Sequence, residues 1–420
     1  MQSSPAREGL NFSSANPHAL ATILQASETR SIIASRDIFD ITGTKLWARE
    51  QPVSQALQRK LLDRQLRHPL ESCLYAEDGV TGRSLVFALE SLIAADSTIS
   101  LLLKRYADKL VHAANHLPLH SVVQLLLTAG QAARPESFDH AVQAMALNGA
   151  LSIARGGDTG HLRLAMLAGL VHDLGEMYIA PEFGEADAHR TLDFQSYQQL
   201  VVHPHVGRLL IEQLTNYPPE VARAVAEHHE RLDGSGFPHC LQREQISPLG
   251  RLLAVTDGTL AVLRSGGQLG RASVALRAVP GEFDLSWVGL VAYTAQKQSP
   301  MEAVESPEQI QQRLGGLDRA MQAAQERVDT ALAATACQGL KDALGLARHL
   351  LVRLRTGWNA SGLWSAASLG ADDAPELEAV EQELEFRLRS IERAARLRAG
   401  DLPPEDAERL NAVCEGLRVG

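Results

Sequence analysis

Apolar residues recur at helical spacing along most of this chain, and only one short stretch departs from that period. Asp37 to Trp47 reads as two short apolar segments around a Thr42-Gly43 turn, a β-hairpin candidate. Ser54 to Leu66 follows as an amphipathic helix, with Ser54 placed to cap it and Leu57, Leu61, Leu62 and Leu66 on one face. Residues 1–35 begin polar and are expected to fray. From Gly82 the pattern predicts helices over Leu85–Ala95, Ser100–His112 and Leu119–Ala133. Further on it predicts Ser137–Ala154, His161–Leu174, Asp193–Val201, His205–Leu214, Pro219–Glu230 and Ser247–Arg264. Pro307 to Arg355 is helical in period with a break at Gly315-Gly316. Gly362 to Ala374 reads as a linker, and Pro375 to Leu397 carries Glu and Arg at i,i+3 and i,i+4 spacing, the mark of a solvated helical face.

These patterns predict a mainly α protein: a helical bundle with a small N-terminal α/β module and a helical C-terminal extension. The divisions are 1–80 for the N-terminal region with its module, 81–133 for a helical connector, 134–285 for the functional bundle and 300–420 for a helical interaction module. The length of 420 residues suits two or three domains, and with aromatics at only 5% the cores must be aliphatic. The formal charge of −10 argues against non-specific binding to DNA, although bound cations can still draw in a small anion. Cys73, Cys240, Cys337 and Cys414 form no Cys-x-x-Cys pair and read as free thiols of a reducing cytoplasm. Neither an apolar signal region near Met1 nor a run of the ~20 apolar residues that span a bilayer is visible, so no membrane role is expected.

The chemistry concentrates between 134 and 260. Asp173 follows the apolar run Leu164–Val171, and Asp257 follows Leu252–Thr256. A charged group entering an apolar helix costs several kcal/mol or more unless it is paired or on a metal. Glu136 and His140, four apart, share one helical face. His172 precedes Asp173, His203 precedes Pro204, and His228-His229 ends a helical pattern before the turn Asp233-Gly234-Ser235-Gly236. Side chains about 100° apart on a helix cannot share one ligand position, so as ligands His228 and His229 reach different metals or different sides of a cluster. A lone histidine is usually a core residue, but five imidazoles and three carboxylates on successive helices point to a site in the bundle core. Mixed nitrogen and oxygen donors suit divalent iron, manganese or zinc and exclude a thiolate site.

In order, Glu136/His140, His172-Asp173-Leu174-Gly175, His203-Pro204, His228-His229-Glu230-Arg231-Leu232-Asp233-Gly234-Ser235-Gly236-Phe237-Pro238 and Asp257 resemble the HD-GYP family, a branch of the HD metal-dependent phosphohydrolases. The resemblance covers about 134–265. It implies an all-α domain, two or three divalent ions, iron foremost, and hydrolysis of cyclic di-GMP to pGpG or GMP by a metal-bridged hydroxide. It makes Glu136, His140, His172, Asp173, His203, His228, His229 and Asp257 metal ligands, with Asp173 and His172 at the catalytic centre. Gly236, Phe237 and Pro238 become rim residues toward substrate.

The sequence departs from the family in three places. Glu176 stands where members carry a phosphate-contacting lysine; unless it pairs with a nearby arginine or reaches a metal it would repel a dinucleotide phosphate, and Glu176→Lys is expected to restore or raise turnover. Phe237 replaces the family tyrosine, and no residue aligns with the usual ligand-holding basic segment, for which Arg264 or Arg271 is the substitute. These departures fit a weak or altered phosphodiesterase, an enzyme for a related nucleotide or another phosphate ester, or, as the alternative reading, a metal-bound regulator of weak or no activity that acts through a protein partner of 300–420. A homodimer is compatible with any of these readings.

Overall fold

Asn16 opens the first helix: its side-chain oxygen accepts from the backbone N–H of His18 and Ala19, and Pro17 supplies a pre-set first turn. That helix, Pro17–Ala26, buries Leu20, Ile23 and Leu24, so the N-terminal stretch is ordered well before residue 35, contrary to the expected fraying. The structure is a computed structural model that describes residues 12–180, 200–264, 266–297, 307–361, 374–399 and 402–416. Among these the chain is predominantly α-helical. It divides into two compact units, the first of residues up to 190 with 199–229 and 247–256, the second of 191–198, 230–246 and 257 onward. The 134–285 segment thus contributes to both.

In the first unit the hairpin forms as expected. Strand β2 (Ile38–Phe39) pairs antiparallel with β3 (Lys45–Trp47), and Gly43 takes the left-handed φ of +90° in the turn. Strand β1 (Ile32–Ala34) pairs antiparallel with β4 (Leu74–Ala76), Ile33 opposite Tyr75, a non-local pairing that the local pattern does not announce. The helix expected over Ser54–Leu66 is Gln55–Leu61. Leu62 turns out of it with ψ of 128° and is exposed, and Ser54 makes no side-chain cap bond. The stretch from Ser100 is likewise interrupted: Thr98–Leu103 and Ala107–Asn115 flank a 3-10 turn at Lys104–Tyr106.

The bundle proper packs helix Pro135–Ala154 on Thr159–Val171, and His203–Leu214 on Pro219–Glu227. Buried Asn148 ties three helices, donating to Ala165 O (2.7 Å) and accepting from Thr256 Oγ1 (2.7 Å). Such a satisfied polar pair inside an apolar bundle fixes register. Of the expected helix Asp193–Val201, all but the last two residues lie outside the described residues, as does nearly all of the Gly362–Ala374 linker.

In the second unit, helix Pro307–Ala334 runs unbroken through Gly315-Gly316. Two helical glycines cost about 2 kcal/mol together, but Leu314 and Leu317 beside them are almost wholly buried, which offsets that cost. The break comes at Thr335-Ala336-Cys337, where Thr335 Oγ1 accepts from Cys337 N (3.2 Å). Helices Gln338–Ser361, Ala374–Ala399 and Pro404–Glu415 complete the unit around a core of Ile310, Met321, Leu344, Leu351, Leu384 and Trp358. Among the described residues no single helix is long and apolar enough to cross a membrane.

Candidate metal centre

His172 and His228 sit just past the ends of their helices and His203 opens helix His203–Leu214, and backbone carbonyls set the chemistry of all three. The last carbonyls of a helix lack intrahelical partners. His172 Nδ1 lies 2.8 Å from Gly169 O, His203 Nδ1 2.7 Å from Leu200 O and His228 Nδ1 2.6 Å from Val225 O, each a bond back by three residues. A carbonyl only accepts, so each Nδ1 carries the proton and each neutral ring presents its Nε2 lone pair. Those lone pairs converge. His140 Nε2 and His172 Nε2 are 3.2 Å apart, and His203 Nε2 and His228 Nε2 are 3.1 Å apart.

Asp173 lies between the two pairs. It leaves the helix line at φ −100°, ψ 10°, where helix Thr159–Val171 gives way to a 3-10 turn, Leu174–Tyr178. Its Oδ2 is 3.2 Å from His140 Nε2 and 3.1 Å from His172 Nε2; its Oδ1 is 3.3 Å from His228 Nε2 and 3.6 Å from His203 Nε2. Oδ1 has no hydrogen-bond donor among the described residues. Lone pairs facing a carboxylate repel unless a proton or a cation stands between them. Burial holds His228 below its ordinary pKa, against the pull of Asp173, and so disfavours the protonated ring. At Asp173 burial pushes the carboxyl up, but the facing imidazoles of His172, His140 and His203 outweigh it and hold the acid well below the usual range. An ionised carboxylate among neutral imidazoles is the donor set that a divalent cation requires.

His229 joins this cluster. Asp173, His203, His228 and His229 each offer a ligand atom within 4.8 Å of the others, and the His228 and His229 rings lie 4.0 Å apart at 47°. The helix ends at Glu227 rather than Glu230, so the 100° separation of an ideal helix does not govern the two rings. Six of the sequence candidates, His140, His172, Asp173, His203, His228 and His229, are therefore drawn together in the first unit. Glu136 is exposed in the first turn of its helix, beside Arg134, and is not among the grouped ligand atoms.

Glu176 is 8% exposed within the 3-10 turn, and the nearby arginine that the sequence allows for is present. Its cation is Arg134, whose pKa burial lowers and whose charge Glu176 and Glu136 support. Arg134 also donates to Glu176 O (3.4 Å) and Thr22 Oγ1 (2.9 Å). Arg134 bears no functional pattern in the sequence, yet it and the motif residue Gly175 both fix the turn that follows Asp173. A Cβ on Gly175 would stand 2.0 Å from His203 O, so only glycine lets that turn lie against the helix of His203.

The remaining candidates lie in the second unit. Asp257 is buried, and Arg264 Nη2 is 3.9 Å from its Oδ1, so the guanidinium proposed for phosphate already faces a carboxylate. Arg271 lends its charge to Glu383. The motif loop is braced by Glu230, which the sequence reading left without a role. Its Oε1 accepts from His239 N (2.7 Å) and its Oε2 from Leu241 N (2.8 Å). Gly234 turns the chain with φ of +83°, and Gly236, Phe237 and Pro238 follow in the braced loop.

Residues 130–277 match a family described as an HD domain. A cyclic di-GMP phosphodiesterase of Pseudomonas aeruginosa is 35% identical over 97 residues, 23% of each chain. A 3'3'-cGAMP-specific phosphodiesterase of Vibrio cholerae is 24% identical over 197 residues, 44% of each chain. A cyclic di-GMP phosphodiesterase response regulator of Xanthomonas campestris is 32% identical over 97 residues, 23% of this chain and 25% of that protein. The chain spans less than half the length of these relatives.

Proposed function

We propose that this chain, which carries an HD domain of the HD-GYP kind at residues 130–277, is a metal-dependent phosphodiesterase that opens cyclic di-GMP to pGpG or GMP. The observation that carries the reading is the two-sided Asp173 carboxylate, one oxygen toward His140 and His172, the other toward His203 and His228. A carboxylate so placed can bridge two cations. Two or three divalent ions are taken as the cofactor, iron first, with manganese or zinc as alternatives. Bound there, such ions supply Lewis acidity: they acidify water and offset the charge that grows on a phosphodiester under attack.

The chain's own residues do the rest. His172, His203 and His228 keep their Nε2 atoms unprotonated through bonds to backbone carbonyls, an outer layer that orients ligands in metal sites generally. His229 adds a fourth imidazole, and Glu136 and Asp257 complete the ligand set on the sequence resemblance. Gly236, Phe237, Pro238, Arg264 and Arg271 are proposed substrate contacts on the same resemblance. The compartment is proposed as cytoplasmic, and a homodimer is compatible with the reading.

One observation favours the second reading, a metal-bound regulator. The position of the usual phosphate lysine is occupied by a buried, arginine-supported Glu176, so that cation is gone from the pocket chemistry. Anaerobic purification, metal analysis and incubation with cyclic di-GMP and with 3'3'-cGAMP separate the two. Products on chromatography that vanish with Asp173→Ala support the enzyme and name its substrate. Bound metal without product from either nucleotide supports the regulator.

A further inference from the structure

The sequence presents the C-terminal helices as a plain tail. In the second unit they hold a buried ionic network that reaches the motif loop. Glu282, 1% exposed, lies in the turn after helix Leu269–Ala275. Its Oε1 meets Arg387 Nη1 in a close ion pair and lies 3.6 Å from Arg231 Nε. Arg387, on helix Ala374–Ala399, also binds Glu383 Oε1 through Nε (2.6 Å). The Phe283 ring carries both guanidinium groups, Arg231 at 4.7 Å and Arg387 at 6.0 Å. The loop is stitched to the same turn by its backbone, since Leu232 N donates to Glu282 O (2.8 Å).

A second long C-terminal helix, Gln338–Ser361, grips both loop and turn. His349 Nε2 lies 3.1 Å from Asp233 O in the loop, and Arg353 Nη2 donates to Pro280 O (2.7 Å) in the turn. A Cβ on Gly357 would stand 2.5 Å from Pro280 Cδ, so the helix backbone lies directly on that turn. Val274 and Val279 belong to the same apolar core as the C-terminal helices. Loop, turn and helices are thus one packed assembly joined at its polar centre by a single forked side chain.

We infer that Arg387 is a positioning residue of the Glu230–Pro238 loop, acting through Glu282 and Arg231, and that the C-terminal helices are a structural part of that loop. A fork is required because one guanidinium serves Glu282 and Glu383 at once. Burial pushes Glu282 up to about 7 while the carboxylates hold Arg387 charged, so the pair depends on its mutual geometry. That the loop rims a nucleotide site rests on the proposed function; that Arg387 orders the loop does not.

The test is amide hydrogen exchange by mass spectrometry on the full chain. Arg387→Met should speed exchange in 230–242 at least tenfold and leave 140–154 at the wild-type rate. Arg387→Met with Glu282→Met and Glu383→Met removes the guanidinium with both carboxylates it serves and should restore most of the protection, as expected for one charged network rather than general loosening. Unchanged exchange in 230–242, or a triple variant as open as the single, would overturn the inference. If Arg387→Met does not fold, Arg387→Lys decides: at least threefold faster loop exchange supports the role of the fork, and wild-type exchange refutes it. With cyclic di-GMP as probe, Arg387→Lys should raise KM more than it lowers kcat. Absence of turnover in every form counts against the phosphodiesterase and leaves the exchange result standing.

Discussion

Gly175→Ala is the sharpest perturbation of the centre that replaces no candidate ligand. The added Cβ would stand 2.0 Å from His203 O, 2.8 Å from Gly207 N and 2.9 Å from His203 C. All three atoms are backbone, so no rotamer change relieves the contact. An ordinary carbon–oxygen approach is about 3.3 Å, so the 3-10 turn and the helix of His203 must part by about 1.3 Å. Overpacking costs typically 1–3 kcal/mol, and a clash with rigid backbone belongs at the upper end, about 3 kcal/mol. For a unit of this size that lowers Tm by about 6 °C or more.

The same displacement separates the Asp173 side of the cluster from His203, whose Nε2 is now 3.6 Å from Asp173 Oδ1. A misplacement of about 1 Å can cost on the order of a hundredfold in rate, and metal occupancy should fall with it. The assays are thermal unfolding and metal content of the purified chain. Gly207→Ala is the control, because its nearest neighbour is a side chain, Val225 Cγ1 at 2.9 Å, which can give way. It should cost less than about 1.5 kcal/mol. If Gly175→Ala keeps the wild-type Tm within 1 °C (~0.3 kcal/mol) and full metal content, the close packing of the turn on the His203 helix is wrong.

Asp173→Ala should lower bound metal at least tenfold and abolish any hydrolysis with it; a metal-replete variant would sink the bridging assignment. Glu176→Lys, expected from sequence to raise turnover, should instead place a second cation beside Arg134 in a buried turn. A loss of about 3 kcal/mol in denaturant midpoint analysis is predicted, and a variant of wild-type stability with higher kcat/KM would contradict it. The raised pKa of Glu282, about 7, gives a pH dependence. The native state holds this proton more tightly than the unfolded chain, so the contribution is full below about pH 4.5 and is lost as pH rises through 7, on the order of 3 kcal/mol in all. The stability of wild type relative to Glu282→Gln should therefore decline between pH 5 and 8, and a flat difference refutes it.

What the sequence disclosed was what local pattern encodes. Helical period located most of the described helices, because an amphipathic stripe is written within a few turns, but it missed Pro17–Ala26, Leu269–Ala275, Leu285–Ala295 and Pro404–Glu415. Asp173 stood out because a carboxylate after Leu164–Val171 needs a partner, and that partner is the imidazole cluster. Helix ends were less legible. The stop at Glu227 and the exit of Leu62 depend on what the next residues meet, and the His228–His229 geometry changes with that stop. Pairings at a distance left no trace, as with β1 on β4 or Arg134 on Thr22.

The C-terminal helices make the physical reason plain. Glu383 and Arg387 are four apart on one helix, and by spacing alone they belong to a solvated face worth a few tenths of a kcal/mol. What changes their meaning is Glu282, 105 residues earlier, which meets the same guanidinium away from water. An i,i+4 pair reads identically whether it is exposed or buried, because periodicity records a residue's helix and not the chain packed against it. The same ambiguity hid Glu176, which reads as a charge reversal at a substrate position and folds as the buried partner of Arg134. In this chain the ligands are local and legible, while the charges that hold their surroundings in place are defined by distant partners, and it is at those charges that substitutions should separate positioning from chemistry.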